Sequence, residues 1–367
     1  MIPGPVWVRP EVLNVMSSAP WGHRDKNATV PRLSKARELV KKLLFIQSAE
    51  YEIILSTSSG SGLMEGSVRN LAGPQDKILN VSIGAFGDLW YDIAKGCGKN
   101  VEQMRFDWGQ PINLDTLEKR IAKGDVTILQ VTHNETSTGV TNPLPELSSL
   151  AIKYDILFCV DAITSLGGIK IPVEELGIDV IFGSSQKCLG LPPGLAVGAV
   201  SPKALKKAST VEGRGYYFDF IQFKKSNSKD QTPATPCEAL IDVLLFQLDY
   251  VFNTEGLEQR FSRHSQLAER VREWAKDQPF NLILFPKPAN FASNTVSCIR
   301  HDPKLDKKAL KEELRKRGYL MDAGYRKIEE EGIPTFRIPT MGDLTMEMLD
   351  TYLNHISEII KSQAKNI

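Results

Sequence analysis

Long apolar runs are missing from this sequence. No stretch approaches the ~20 uninterrupted apolar residues of a membrane span, and Met1 to Pro10 shows no basic segment followed by an apolar core. The expectation is a chain that is neither exported nor anchored. Cysteine is scarce and odd in number: Cys97, Cys159, Cys188, Cys237 and Cys298 are widely scattered with no CxxC spacing. That excludes a disulfide framework, a zinc ribbon and a redox pair, and it suits a reducing cytoplasm. Charge of one sign is also lacking, since 45 Lys and Arg face 44 Asp and Glu for a net charge of +1. Such a balance offers no electrostatic footprint for nucleic acid or an anionic membrane. His23, His133, His264, His301 and His355 form no HExxH or paired ligand spacing, so no catalytic metal is expected. No fixed-period repeat or low-complexity tract is present, which removes solenoids and linkers.

Short apolar runs do occur, and they alternate with helical patterns through the first two thirds of the chain. This is the signature of βαβ units, hence of an α/β fold with a mainly parallel sheet covered on both faces. Tyr51 to Thr57, Lys77 to Ile83, Val126 to Val131, Asp155 to Val160, Asp179 to Phe182 and Gly194 to Val200 are the expected strands. Leu63 to Leu71, Gly87 to Cys97, Leu114 to Lys123 and Leu144 to Tyr154 are expected helices between them. After about residue 245 the pattern changes to long charged helical stretches, Leu257 to Lys276 and Lys307 to Arg317, separated by the strand-like runs NLILF, NTVSCIR and TFRIP. The expected organisation is an N-terminal segment over 1–19, a large domain over 20–245 and a smaller α+β domain over 246–367. Arg214 to Pro236, long and aperiodic, is expected to be a loop at an interface.

Three local features carry chemistry. Ser58-Ser59-Gly60-Ser61-Gly62 joins a strand to a helix, where small residues let free helix-start N–H groups approach an anion. Its ordinary alternative is a tight βα turn, and it matches neither a dinucleotide fingerprint nor a Walker loop. The second feature, Asp161, ends the run DILFCV at the edge where open α/β sheets bind ligands, though an aspartate there also serves as a helix cap. Lys187 lies among small residues in Ser184-Ser185-Gln186-Lys187 after another strand, where an amine can act as a nucleophile rather than a solvated surface charge. An anion cradle, a strand-end carboxylate and a strand-end lysine are together what pyridoxal 5′-phosphate requires.

These motifs, with His133-Asn134-Glu135-Thr136-Ser137-Thr138-Gly139-Val140 between them, stand in the order found in class V aminotransferases, and the chain resembles that family over nearly its whole length. The likeness is greatest to the alanine-glyoxylate and serine-pyruvate aminotransferases. It runs from Pro3-Gly4-Pro5 and Gly22-His23-Arg24 to Phe336-Arg337-Ile338-Pro339 and Met341-Gly342-Asp343. The resemblance implies a fold-type I pyridoxal-phosphate transferase, a homodimer with shared active sites, and Lys187 as the residue that carries the cofactor. It implies that Asp161 pairs with the pyridine nitrogen, that Ser61, Gly62, Leu63 and Gln186 hold the phosphate, and that Phe86 and Ile163 cover the two ring faces. Thr136 matches the residue that reaches the ring hydroxyl, Gly4 and Arg337 fall at the substrate, and Thr232 and Thr235 would reach the neighbouring subunit's cofactor. Arginine suits a carboxylate because its planar fork can bind bidentately.

This sequence departs from the pattern in places. Thr232 stands where many relatives carry tyrosine, Phe86 where some carry tryptophan, Leu63 where a polar residue is common, and Pro339 where glycine is common. The implied activity is amino transfer from alanine or serine to glyoxylate or pyruvate by a ping-pong mechanism. Aspartate, phosphoserine or ureidoglycine as donor, or a desulfurase or lyase reaction on the same fold, are the alternatives. Cys188 reads as a packing residue rather than a sulfur-attacking one. His133 is left between a role beside the cofactor and a hydrogen-bonded structural role.

Overall fold

In the computed structural model, which describes residues 1–17 and 21–365, seven strands form one sheet. They are β1 (Glu52–Ser56), β2 (Ile78–Ser82), β3 (Val101–Arg105), β4 (Ile128–Thr132), β5 (Leu157–Asp161), β6 (Val180–Ser184) and β7 (Ala196–Val200). Their order across the sheet is β1-β7-β6-β5-β4-β2-β3. All pairs from β6 to β3 are parallel, whereas β7 runs antiparallel to both β1 and β6. The architecture is the expected mainly parallel α/β sheet.

The reason these runs are apolar throughout is that both faces of the sheet are covered. Leu129 and Val131 of β4, with Phe158 and Val160 of β5, enter one hydrophobic cluster. Ile128 of β4, with Leu157 and Cys159 of β5, enters another on the opposite face, as a period of two requires. β3 has no apolar run because it is an edge strand of half-exposed residues, and the sequence pattern does not announce it.

Residues 214–236 are not the uninterrupted loop expected. A helix, Phe220–Asn227, lies within them, started by the Asp219 side chain accepting from the Ile221 N–H and anchored by buried Phe220 and Phe223. Two anchors spaced three apart are too few to stand out as a periodic pattern.

Toward the C-terminus, β8 (Ile283–Leu284), β9 (Val296–Arg300) and β10 (Thr335–Pro339) form an antiparallel sheet. The helices Leu257–Lys276, Lys307–Lys316 and Met346–Ala364 enclose with it a separate apolar cluster that includes Leu267, Leu310, Phe336 and Tyr352. The helix Glu238–Tyr250 runs continuously through position 245. The boundary expected between residues 19 and 20 lies outside the described residues. No helix among the described residues is long and apolar enough to cross a membrane.

Candidate active site

Parallel pairing delivers the two reactive side chains to one place. Asp161 is the last residue of β5, Lys187 follows the end of β6 by three residues, and β5 and β6 are parallel neighbours. Their carboxyl ends therefore share an edge of the sheet, the position where such sheets bind ligands. The Gly60–Leu71 helix begins at the same edge because the Gly60 N–H donates to Ser184 Oγ at 2.9 Å. Gly60 tolerates no side chain, since a Cβ there would fall 2.4 Å from Ile163 Cδ1 and 2.5 Å from Ser184 Oγ. Among the described residues no side chain caps this helix, so its positive end faces the cavity that Ser59, Gly60 and Ser61 help to line.

That cavity has a volume of about 170 Å³. Of the residues expected at the site, Ser61, Phe86, Thr136, Asp161, Ile163, Gln186 and Lys187 meet around it, joined by Met64, Leu89, Thr164 and Ser184. Gly4 sits against the lysine: a Cβ would lie 2.6 Å from Lys187 Nζ, and its φ of +132° itself favours glycine. The Lys187 ammonium donates to the Pro3 carbonyl.

Other expected residues lie differently. Leu63 is 2% exposed and its side chain packs in the core with Met64 and Phe182, because position 63 faces the sheet, so only its backbone is left to meet a ligand. The space beside Gly62 is filled by Phe218. Thr232 donates to the Ala234 carbonyl at 2.7 Å, and Thr235 lines a separate cleft with Thr57 and Tyr217 while its hydroxyl meets His23 Nε2 at 3.3 Å. Within one chain neither threonine joins the Lys187 cavity.

Burial sets the charges of the site. It pushes the Asp161 carboxyl up to about 7, against the pull of the Ile163 N–H donating at 2.8 Å, with Glu135 adding to the rise. Burial, followed by the Arg337 guanidinium, brings the Lys187 amine down to about 8. The amine is therefore partly neutral near physiological pH, the form able to act as nucleophile or base. Burial alone lowers His133 to about 3, and its neutral ring shares a hydrogen bond of 2.8 Å with Ser165 Oγ. His133 does not line the cavity, and the geometry gives it the structural role.

Glu135 does not stand out as a single residue within the His133-to-Val140 motif, yet it organises one wall. Its fully buried carboxylate accepts from the Phe86 and Gly87 N–H groups at 3.1 Å, at the start of the Ala85–Gly96 helix. Burial pushes this carboxyl up while Ser137 and these N–H groups pull it back, and the same bonds hold Phe86 at the cavity. Arg260 braces the lysine loop from behind, donating to the Cys188 carbonyl at 2.6 Å and the Gly167 carbonyl at 3.0 Å while paired with Asp343 at 2.8 Å. Cys188 is buried, its thiol pushed up to about 12 by burial, and its Sγ faces the Thr164 carbonyl, so it is a packing residue.

Arg337, on β10, is buried and does not itself line the cavity, but it reaches the turn after β4 that does, donating through Nη1 to the Thr136 carbonyl at 2.9 Å. Its other side is taken by Asp322, with Nε and Nη2 donating to the two carboxylate oxygens at 2.7 and 2.8 Å. Nothing in the sequence spacing signals Asp322, which meets Arg337 only because an isolated bridge pairs their backbones. Among the described residues no group of three or more His, Cys, Asp or Glu side chains is arranged to hold a metal ion.

The residues fit the group that the motifs imply. The uncapped helix end offers an anion site, crowding at Gly60 leaves room there only for a residue without a Cβ, and the Gln186 side chain, whose amide NH2 can donate, lines the same cavity. Asp161 is a buried carboxyl suited to a cationic ring nitrogen, and Phe86 and Ile163 line the same cavity from different elements. The family model described as Aminotransferase class-V matches residues 14–327. The chain is similar to a serine–glyoxylate aminotransferase of Arabidopsis thaliana, 32% identical over 83% of this chain and 76% of the relative. It is also similar to an L-aspartate–glyoxylate aminotransferase of Paracoccus denitrificans, 31% identical over 82% of this chain and 75% of the relative. Among solved structures, an alanine–glyoxylate aminotransferase from Nostoc sp. superposes with a TM-score of 0.90 at 26% identity, covering 97% of this chain and 93% of that one. The chain belongs to the class V aminotransferases, fold-type I enzymes that use pyridoxal 5′-phosphate.

Proposed function

We propose that the enzyme moves an amino group from a small amino acid, alanine or serine, to a small 2-oxo acid, glyoxylate or pyruvate, by a ping-pong mechanism. The observation that carries this reading is the convergence of Lys187, Asp161 and the Gly60–Leu71 helix start on one cavity, with Arg337 held against its Thr136 wall. Relatives named for serine, aspartate and alanine as donors share glyoxylate in their names, which favours a small oxo acid as acceptor. In this reading the working protein is a cytoplasmic homodimer in which Thr232 and Thr235 reach the partner's cofactor phosphate.

Bound in the cavity, pyridoxal phosphate supplies a group that holds the substrate's nitrogen and takes up the electrons released when the α-proton leaves. The protein's own residues do the rest. Ser61, the backbone of Gly62 and Leu63, and Gln186 hold the phosphate. Asp161 would hold a proton on the pyridine nitrogen, Thr136 would meet the ring hydroxyl, and Phe86 and Ile163 would cover the ring. Lys187 would take the α-proton and deliver it to the carbon on the far side of the substrate's nitrogen, a 1,3-shift that its lowered basicity suits. Arg337 would grip the substrate carboxylate, while Gly4 leaves room for the Lys187 side chain.

An absorbance spectrum tests the donor. Protein loaded with the cofactor and dialysed is expected to show a visible band that alanine or serine moves to the near-ultraviolet, with release of an oxo acid and no acceptor present. A band moved only by aspartate or phosphoserine would replace the donor, and one moved only by cysteine would replace the reaction. Arg337→Ala is expected to lower kcat/KM for every carboxylate donor by roughly 100-fold, the scale of losing two charge-assisted hydrogen bonds at about 1.5 kcal/mol each. Arg337→Lys should recover little of it, because an ammonium offers no fork. Unchanged kcat/KM in both variants would remove Arg337 from the site.

A further inference from the structure

The charge of Arg337 is already answered from within the chain. Three of its five N–H bonds are used, two by Asp322 at 2.7 and 2.8 Å and one by the Thr136 carbonyl at 2.9 Å. Two N–H bonds, one on each terminal nitrogen, have no partner among the described residues. Asp322 is itself held in place: its Oδ1 also accepts from the Gly324 N–H at 3.0 Å, and its carbonyl accepts from the Arg337 N–H at 3.3 Å. Besides Arg337, three amines feel the Asp322 charge, and each is engaged elsewhere: Lys307 by Glu329 and the Thr335 carbonyl, the Met1 amino group, brought down to about 5 by burial, by the Leu320 carbonyl, and Lys187 by the Pro3 carbonyl.

We propose that Asp322 sets donor specificity, by making the carboxylate site nearly neutral so that it accepts one negative charge and rejects a second. The inference rests on the reading of Arg337 as the substrate-carboxylate grip. An α-carboxylate can still take the two remaining N–H bonds as directed hydrogen bonds. A donor with a second anionic group brings a further negative charge that Arg337, already paired with Asp322, has little field left to offset. The substrate class that follows is amino acids with uncharged small side chains, not aspartate, phosphoserine or aminophosphonates.

Asp322→Asn tests this with two readouts in the loaded enzyme. Calorimetric titration with propionate and with succinate reads binding without turnover, and kcat/KM for alanine and for aspartate reads selectivity. The asparagine variant is expected to improve succinate binding relative to propionate, and aspartate relative to alanine, by on the order of tenfold, which corresponds to about 1.4 kcal/mol. Asp322→Glu should keep the wild-type ratios. If the asparagine variant loses the visible band, Asp322→Ser carries the same comparison. Equal changes for one and two charges, in either direction, would mean that Asp322 only orients Arg337 and would overturn the proposal. Wild-type enzyme that transaminates while Arg337→Ala leaves propionate binding unchanged would instead remove the Arg337 reading beneath it.

Discussion

Lys187→Ala is expected to lower the turnover number of amino transfer by about four orders of magnitude, the upper range for loss of a positioned general base, while leaving the fold intact. The lysine is the one amine among the residues lining the cavity. Its Nζ lies against Gly4 and Pro3, so water admitted by the truncation would not inherit its position. The cofactor should still bind, because the helix start, Gln186 and Asp161 are untouched, but without the covalent link its visible band should shift to that of the free aldehyde. Methylamine added to the variant should restore part of the rate by supplying a diffusible base.

The same variant makes a stability prediction with a definite sign. The amine's folded value of about 8 lies below its unfolded value, so the charged form is disfavoured in the cofactor-free fold. Stability should therefore rise as pH climbs from about 8 through the unfolded lysine value, and the cost of the buried charge is fully present at pH 7. The cofactor-free alanine variant should melt no lower than wild type at pH 7. Steady-state transamination at wild-type rate, or a collapsed melting temperature, would sink the assignment.

Much of this arrangement is legible in the sequence, for a physical reason. A strand buried on both faces must be a continuous apolar run, so β1, β2, β4, β5, β6 and β7 stand out to within a residue or two. In parallel strands the residue after each run falls at the same sheet edge, so Asp161 and Lys187 are both legible as edge residues, and the parallel pairing of β5 with β6 is what makes them neighbours. What stays hidden depends on contacts between distant segments. The antiparallel direction of β7, the half-exposed edge strand β3 and the helix within residues 214–236 have no periodic signature of their own. Asp322 beside Arg337, Pro3 and Gly4 against Lys187, and Arg260 behind the lysine loop are tertiary meetings of residues 15 to 184 positions apart. Leu63 illustrates the converse: a match to a family position names the residue but not whether its side chain or its backbone faces the ligand, and here the side chain packs in the core.

Asp161→Asn is expected to separate function from stability. In the cofactor-free fold the carboxyl is raised to about 7 by burial, while the unfolded value is that of an ordinary aspartate. Between about pH 4 and pH 7 the folded protein thus holds more protons than the unfolded one. Stability should fall as pH rises through that window and level off above it. Asparagine is nearly isosteric, keeps an oxygen for the Ile163 N–H and never ionises, so the cofactor-free variant should be more stable than wild type at pH 8 by on the order of 2 to 4 kcal/mol and equal to it near pH 4. Loading with pyridoxal phosphate should reverse the order at pH 8, because only the carboxylate is matched by a cationic ring nitrogen. The catalytic loss should be about 100- to 1,000-fold, the scale of removing one preorganised charge from a water-poor site. Calorimetric melting of loaded and cofactor-free protein at pH 4, 5 and 8, set beside turnover with the preferred donor, checks both halves. An asparagine variant with wild-type turnover would free the pyridine nitrogen from Asp161, and cofactor-free melting curves that coincide at pH 8 would mean that the carboxyl is not strained in the empty site. The expected result gives Asp161 a cost in the cofactor-free fold that cofactor binding relieves, so the residue least suited to the bare protein is one that ties its stability to the cofactor.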